Sequence, residues 1–168
     1  MKNDKTKKIA VYGVMVALAM IFSYVEMQLP VFIAVPGVKL GITNIVVLVS
    51  LYKMGDKGAL FINAVRIISV SLLFGTAMSF AFSFTGGMLS TIVMILLKKT
   101  NRFSTVGVSV AGAVTHNIGQ ILAAVVFLNT TAIVWYLPVL WLSGIISGLI
   151  IGIVGAMVEK RVSKIKVP

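Results

Sequence analysis

Thirteen of the 15 Lys and Arg residues of this 168-residue chain fall into four short clusters separated by long apolar stretches. Lys2, Lys5, Lys7 and Lys8 form the first cluster, Lys53 and Lys57 the second, Lys98, Lys99 and Arg102 the third, and Lys160, Arg161, Lys164 and Lys166 the last. The stretches between them, 9–52, 58–97 and 103–158, hold 44, 40 and 56 residues. Each accommodates two helices of the roughly 20 residues that cross hydrocarbon. Because cytoplasmic loops collect Lys and Arg, all four clusters belong on the inner side. The expected architecture is an all-α bundle of six transmembrane helices, a single integral membrane domain over 1–168 with both termini cytoplasmic.

The remaining composition fits a chain whose solvent is largely lipid, with 59% hydrophobic and only 11% charged residues. A net charge of +11 would point to nucleic acid in a soluble domain; here the charges follow topology, and anionic headgroups account for them. The absence of cysteine excludes a disulfide, a thiolate nucleophile and a Cys metal site. The basic head and first apolar run resemble a signal peptide, but no small-residue cleavage site follows, so the segment reads as a retained first helix.

Hydropathy places helices over 9–28, 38–53, 58–74, 77–97, 104–127 and 137–158. Gly75 and Thr76 form a tight outer turn. The outer loop at 29–37 is apolar and punctuated by Pro30 and the Pro36-Gly37 pair, which marks it as a candidate lid. The last outer loop, 129–137, carries Trp135 and Tyr136 before Pro138, with Trp141 a turn further on, the placement of an interfacial aromatic belt. No polar stretch is long enough for a soluble catalytic domain, and no motif recurs between the hairpins.

Function in such a chain shows as polar residues that membrane energetics disfavour. Lys39 and Arg66 stand outside the basic clusters, and Glu26 lies within an apolar span. An ionised group at mid-bilayer costs at least a few kcal/mol, so it faces the bundle interior, a partner or a ligand. Arg66 falls near the midplane, whereas Lys39 and Glu26 fall toward the outer surface, with Asn44 about two turns in. The fifth helix adds His116, Asn117 and Gln120 on one broad face, and Asn63 sits one turn from Arg66. Together these residues describe a polar cavity open to the outside, able to hold a small molecule. Alternatively they satisfy one another, Glu26 pairing with Lys39 or Arg66 and the amides bonding between helices. One His without Cys, Asp or a second His nearby has too few ligands for a metal site, and no cofactor is called for.

Gly144, Gly148 and Gly152 recur every fourth position on the last helix, with Ser147 and Gly155 alongside. Ala111, Thr115, Gly119 and Ala123 form a similar stripe on the fifth, and Gly13 and Ala17 a pair on the first. Such stripes let helices approach closely in lipid. Internal packing accounts for those on the fifth and sixth helices, while Gly13 and Ala17 lie near the cytoplasmic end, where a partner can dock. The Phe80, Phe82, Phe84 run and the nine Met residues read as lipid-facing or core filler.

Six helices, the Gly13/Ala17 pair, a Pro-containing outer loop and the segment Pro36-Gly37-Val38-Lys39-Leu40-Gly41-Ile42-Thr43-Asn44 resemble the membrane family called Gx transporters, often labelled heptaprenyl diphosphate synthase component I. Those proteins are similar in layout to the substrate-binding S components of energy-coupling factor (ECF) vitamin transporters. The resemblance implies a bacterial cytoplasmic membrane protein that binds a small molecule from outside, gated by the 29–37 loop. It also implies a coupling subunit and an ATPase pair as partners. S components typically present an alanine pair four apart on the first helix, where this chain has Gly13 and Ala17.

The enzymatic label meets a chemical objection. Prenyl chain elongation needs aspartate-rich motifs that hold magnesium against diphosphate, and this chain has only Asp4 and Asp56, singly. No Ser-His-acid set and no glycine-rich Lys-Ser/Thr phosphate loop occurs either, so the chain is not expected to be an enzyme. Two functions remain: the binding subunit of an uptake transporter, or a non-catalytic membrane partner of an isoprenoid, quinone or electron-transfer system. Arg66 and Lys39 favour an anionic ligand with a flat or greasy remainder, and a flavin, a vitamin or a quinone precursor all qualify.

Overall fold

The computed structural model describes residues 2–28 and 41–162, with side chains described from Asp4 onward. Within them the chain is helical throughout: α1 (Lys2–Gln28), α2 (Ile42–Lys53), α3 (Gly55–Phe74), α4 (Ala77–Lys99), α5 (Thr105–Leu128), a short 3-10 turn (Ala132–Tyr136) and α6 (Leu137–Val162). Lys39, the candidate lid at 29–37 and the first five residues of the Pro36 to Asn44 segment lie outside the described residues.

Five helices have the length and hydropathy of membrane spans. The six expected helices are present, and α2 begins at Ile42 rather than 38 and has 12 residues. At 1.5 Å per residue it is about 18 Å long, well short of a roughly 30 Å hydrocarbon core. The cause is Gly41, whose φ of 74° is left-handed and cannot continue the helix toward its N-terminus. Length is replaced by burial, for every residue from Val46 to Leu51 is buried.

The other ends follow local chemistry. Gly55 adopts φ 78°, so α2 and α3 are joined through Met54 alone and α3 starts three residues earlier than hydropathy places it. Thr76 caps α4 in a reciprocal box: its hydroxyl accepts from the Ser79 amide (3.1 Å), and the Ser79 hydroxyl accepts from the Thr76 amide (2.8 Å). Ser104 caps α5 through the Gly107 amide at 3.1 Å. The Lys-rich head continues α1 as helix, since Lys is a good helix former and Asp4 sits in the first turn, favourable to the helix dipole.

Each helix packs against the next in the closed order α1, α3, α4, α5, α6, α2, and α2 also touches α3. A core of Val47, Leu48, Leu51, Ala59, Met94, Ile95 and Val108 joins α2 to α5, and a second, Ala19, Val46 and Ile62, ties α1 to α2 and α3. Near these cores the basic clusters meet at one pole. Asp56 pairs with Lys99 (3.1 Å) and Lys98 (3.8 Å), and Lys53 with Glu159 (3.7 Å). Such part-exposed pairs contribute little stability, but they show that the ends of α2, α4 and α6 and the start of α3 share a side, as the charge pattern requires.

The glycine stripe of α6 is internal. A Cβ at Gly148 would stand 2.7 Å from Val110 Cα, and one at Gly152 2.8 Å from Val106 Cα, so α5 and α6 are in backbone contact there. On α5, Gly119 meets Gly86 of α4 in the same way, at 2.7 Å. Gly13 and Ala17 differ. Both are exposed on α1, and a Cβ at Gly13 would meet nothing within 4 Å. Gly148→Leu is therefore expected to lower stability by about 1–3 kcal/mol through overpacking, whereas Gly13→Leu leaves it unchanged; thermal unfolding of the two variants in one detergent measures the contrast.

Candidate functional site

A cavity of about 130 Å³ lies on the side of the core away from the basic pole, at the convergence of all six helices. Glu26 reaches it from the end of α1, Thr43 and Asn44 from the start of α2, Arg66 and Ser71 from α3, Ser79 and Ser83 from α4, His116 and Asn117 from α5, and Ser147 from α6. Arg66 lies 11 residues into the 20-residue α3, about 16 Å along its axis, near the middle of the span.

Arg66 is only 9% exposed. One terminal nitrogen of its guanidinium donates to Asn63 Oδ1, one turn earlier. Asn63 is itself fixed: its Nδ2 donates to the Gly87 carbonyl (2.9 Å) and to Thr91 Oγ1 (2.8 Å) on α4. The amide can reach these acceptors because α4 carries Gly86-Gly87 at this level. A Cβ on Gly87 would stand 2.7 Å from Ile67 Cδ1, and one on Gly86 2.7 Å from the His116 carbonyl, so the pair admits both α3 and α5. Asn63 therefore does not line the cavity; it orients the cation that does. Arg66 Nε is buried and makes no hydrogen bond among the described residues.

Glu26 is held separately. Its carboxylate accepts from the Gly41 amide and from Thr43 Oγ1 (3.2 Å), and Ser23 Oγ lies 3.1 Å from Thr43 Oγ1. Glu26 acts electrostatically on Arg66, but among the described residues no ion pair joins them. The Glu26–Arg66 pairing weighed from the sequence is thus replaced by two neutral anchors, Asn63 for the cation and the start of α2 for the anion. The left-handed Gly41 that shortens α2 also delivers the amide that holds Glu26.

On α5 the expected polar face divides. His116 and Asn117 line the cavity, and Asn117 Nδ2 donates to the Leu140 carbonyl at 2.6 Å, tying α5 to α6. Gln120 is not among the lining residues; its side chain rests against Gly86. The hydroxyls of Ser23, Thr43, Ser71, Ser79, Ser83 and Ser147 are the part sequence reasoning missed. A signal existed in Ser79 and Ser83, four apart on one helix face, whereas Ser147 was absorbed into the packing stripe of α6. At the opposite pole, Gly13 forms part of an open apolar groove between α1 and α3, lined also by Lys8, Tyr12, Val16, Lys57 and Phe61.

Five membrane-spanning helices around a short buried one, with a buried cation and a ring of hydroxyls at their centre, define a multi-pass helical membrane protein with an internal polar site. The chain belongs to the heptaprenyl diphosphate synthase component I family, whose model matches residues 15–158. That bears out the resemblance carried by its sequence. No curated protein and no solved structure matches it significantly.

Removing the anchor of Arg66 tests this geometry. Asn63→Leu leaves the guanidinium without its acceptor and is expected to cost about 1–3 kcal/mol. Arg66→Met in the Asn63→Leu background should cost less than in the wild type by at least about 0.5 kcal/mol. Thermal or denaturant unfolding of the four proteins in a double-mutant cycle reads the coupling, and strict additivity would show that the two side chains act independently.

Proposed function

We propose that this protein is the membrane-embedded binding subunit of an uptake system for a small anionic molecule, with no catalytic activity of its own. One observation carries the reading: a buried Arg66, oriented by Asn63 and without a carboxylate bonded to it among the described residues, lining a hydroxyl-rich cavity near mid-span. A charge held there at a cost of several kcal/mol fits a site whose counterion arrives with the ligand. Bidentate guanidinium chemistry favours a carboxylate or phosphate as that counterion.

The basic pole supports the orientation proposed here. With Lys53, Lys57, Lys98, Lys99 and Lys160 inside, the termini are cytoplasmic and the cavity belongs to the outer half, in a bacterial cytoplasmic membrane. The outward-facing Gly13 and Ala17 then lie on the inner part of α1, where a coupling subunit driven by a separate ATPase complex can approach closely. The family description favours a second reading, in which the chain assists a separate prenyl diphosphate synthase as a non-catalytic membrane component.

Three measurements test the orientation, the site and the choice between the two readings. Cys at position 129 or 130 should label from outside intact cells, and Cys at position 56 should not; labelling at 56 reverses the orientation. Arg66→Gln should reduce retention of the copurifying small molecule, read by native mass spectrometry, at least tenfold, equivalent to about 1.4 kcal/mol, with the helical fold intact. Gly13→Leu combined with Ala17→Leu should leave that retention unchanged and abolish cellular uptake. Wild-type uptake in the double variant, together with loss of a prenyl product, would support the second reading instead.

A further inference from the structure

Away from the polar cavity, an open groove of about 730 Å³ runs between α1 and α3 from the basic pole. Its walls repeat at helical spacing, with Ile9, Gly13 and Val16 on α1 and Lys57, Phe61 and Val65 on α3. Lys8 and Lys57 stand on its two sides at the head, and the rest is apolar. Both lysines are exposed. Among the described residues neither is paired with a carboxylate, Asp4 one turn before Lys8 included, whereas Lys53, Lys98 and Lys99 each have one.

The groove is open for a steric reason. A Cβ at Gly13 would meet nothing within 4 Å, so the α1 wall is bare backbone there and an apolar chain can lie against it. Tyr12 reaches across to α3, its ring edge-on to Phe61 with centroids 5.6 Å apart, and Phe61 is 52% exposed, so this aromatic wall faces outward. From the lysines to Val16 and Val65 the groove follows eight residues of each helix, about 12 Å. That is a little under half of a roughly 30 Å hydrocarbon core. Toward the other pole Tyr24 and Phe74 meet across the same two helices, with centroids 5.0 Å apart. The groove therefore belongs to one leaflet.

Charge and length together restrict the occupant. A soluble anion would leave the apolar walls bare, and a zwitterionic lipid brings its own ammonium to offset its phosphate. A membrane-crossing helix would need an apolar seam through both leaflets. We propose that the groove is a binding site for an anionic phospholipid, with its phosphate between Lys8 and Lys57 and one acyl chain along Gly13, Val16, Phe61 and Val65. Basic recesses between membrane helices hold such headgroups by charge. A coupling subunit docking on Gly13 and Ala17 would displace this lipid, and the site does not depend on the reading of the central cavity.

The test is native mass spectrometry of the full chain in a non-ionic detergent, titrated with phosphatidylglycerol or phosphatidylcholine of identical acyl chains, reading the first lipid bound. Phosphatidylglycerol should bind more tightly by about tenfold or more. Lys8→Gln with Lys57→Gln should abolish that preference. Arg102→Gln with Arg161→Gln, which removes two exposed charges away from the groove, should keep it. Gly13→Leu should weaken phosphatidylglycerol by about fivefold or more by filling the space of the acyl chain, and Gly13→Val repeats the block should the larger side chain unfold the protein. Equal affinity for the two lipids, or an equal loss in both double variants, would reduce the binding to diffuse surface charge and overturn the site. Indifference to the Gly13 variants would leave a headgroup on the lysines with no chain in the groove, and overturn it too. A protein dimer that Gly13→Leu dissolves and added lipid leaves intact would make a second copy of the chain the occupant instead.

Discussion

A guanidinium near the middle of an apolar bundle needs acceptors that water cannot supply there, and the bond from Arg66 to Asn63 is where this chain meets that need. Much of the central architecture follows from it. Asn63 can offer its oxygen to Arg66 because its nitrogen is committed to Gly87 and Thr91. Those contacts require α3 and α4 to approach closely, which Gly87 permits, and Gly86 brings α5 equally near on the other side. The same approach sets His116 and Asn117 in the wall of the cavity that Arg66 also lines. One neutral acceptor satisfies one terminal nitrogen, and among the described residues Nε has no hydrogen-bond partner, the feature on which the proposed anion site rests.

Much of this was legible in the sequence because lipid is an unforgiving solvent. Charged and amide side chains inside apolar spans stand out, so Glu26, Asn44, Arg66, His116 and Asn117 could be assigned to one cavity before their contacts were known. The gathering of basic residues at one pole was equally visible, because it follows from loop charge alone. Serine carries no such signal, since it packs in membrane helices as a small residue, and the hydroxyl lining therefore emerged only from the fold. The start of α2 was misplaced because Pro36-Gly37 offers a stronger turn signal than Gly41, whose left-handed conformation and bond to Glu26 are long-range features of the fold. The partner of Arg66 was the subtlest point. Charge complementarity pointed to Glu26, but a bond one turn along the same helix is geometrically available without moving any element, and Asn63 holds that position.

The two poles differ in character. The half away from the basic pole holds the polar cavity around Arg66. The other half holds the apolar core, the paired basic ends and an open face on α1 where Gly13 leaves room for another surface. The proposal of an uptake subunit assigns binding to the first half and coupling to the second.

The most direct measurement is an experimental structure of the protein purified from its own membrane in lipid nanodiscs. The account predicts density for an oxyanion within hydrogen-bonding distance of Arg66 Nε, with the guanidinium still bonded to Asn63. A cavity holding water alone, with Arg66 turned away from Asn63 into an ion pair with Glu26, would contradict it.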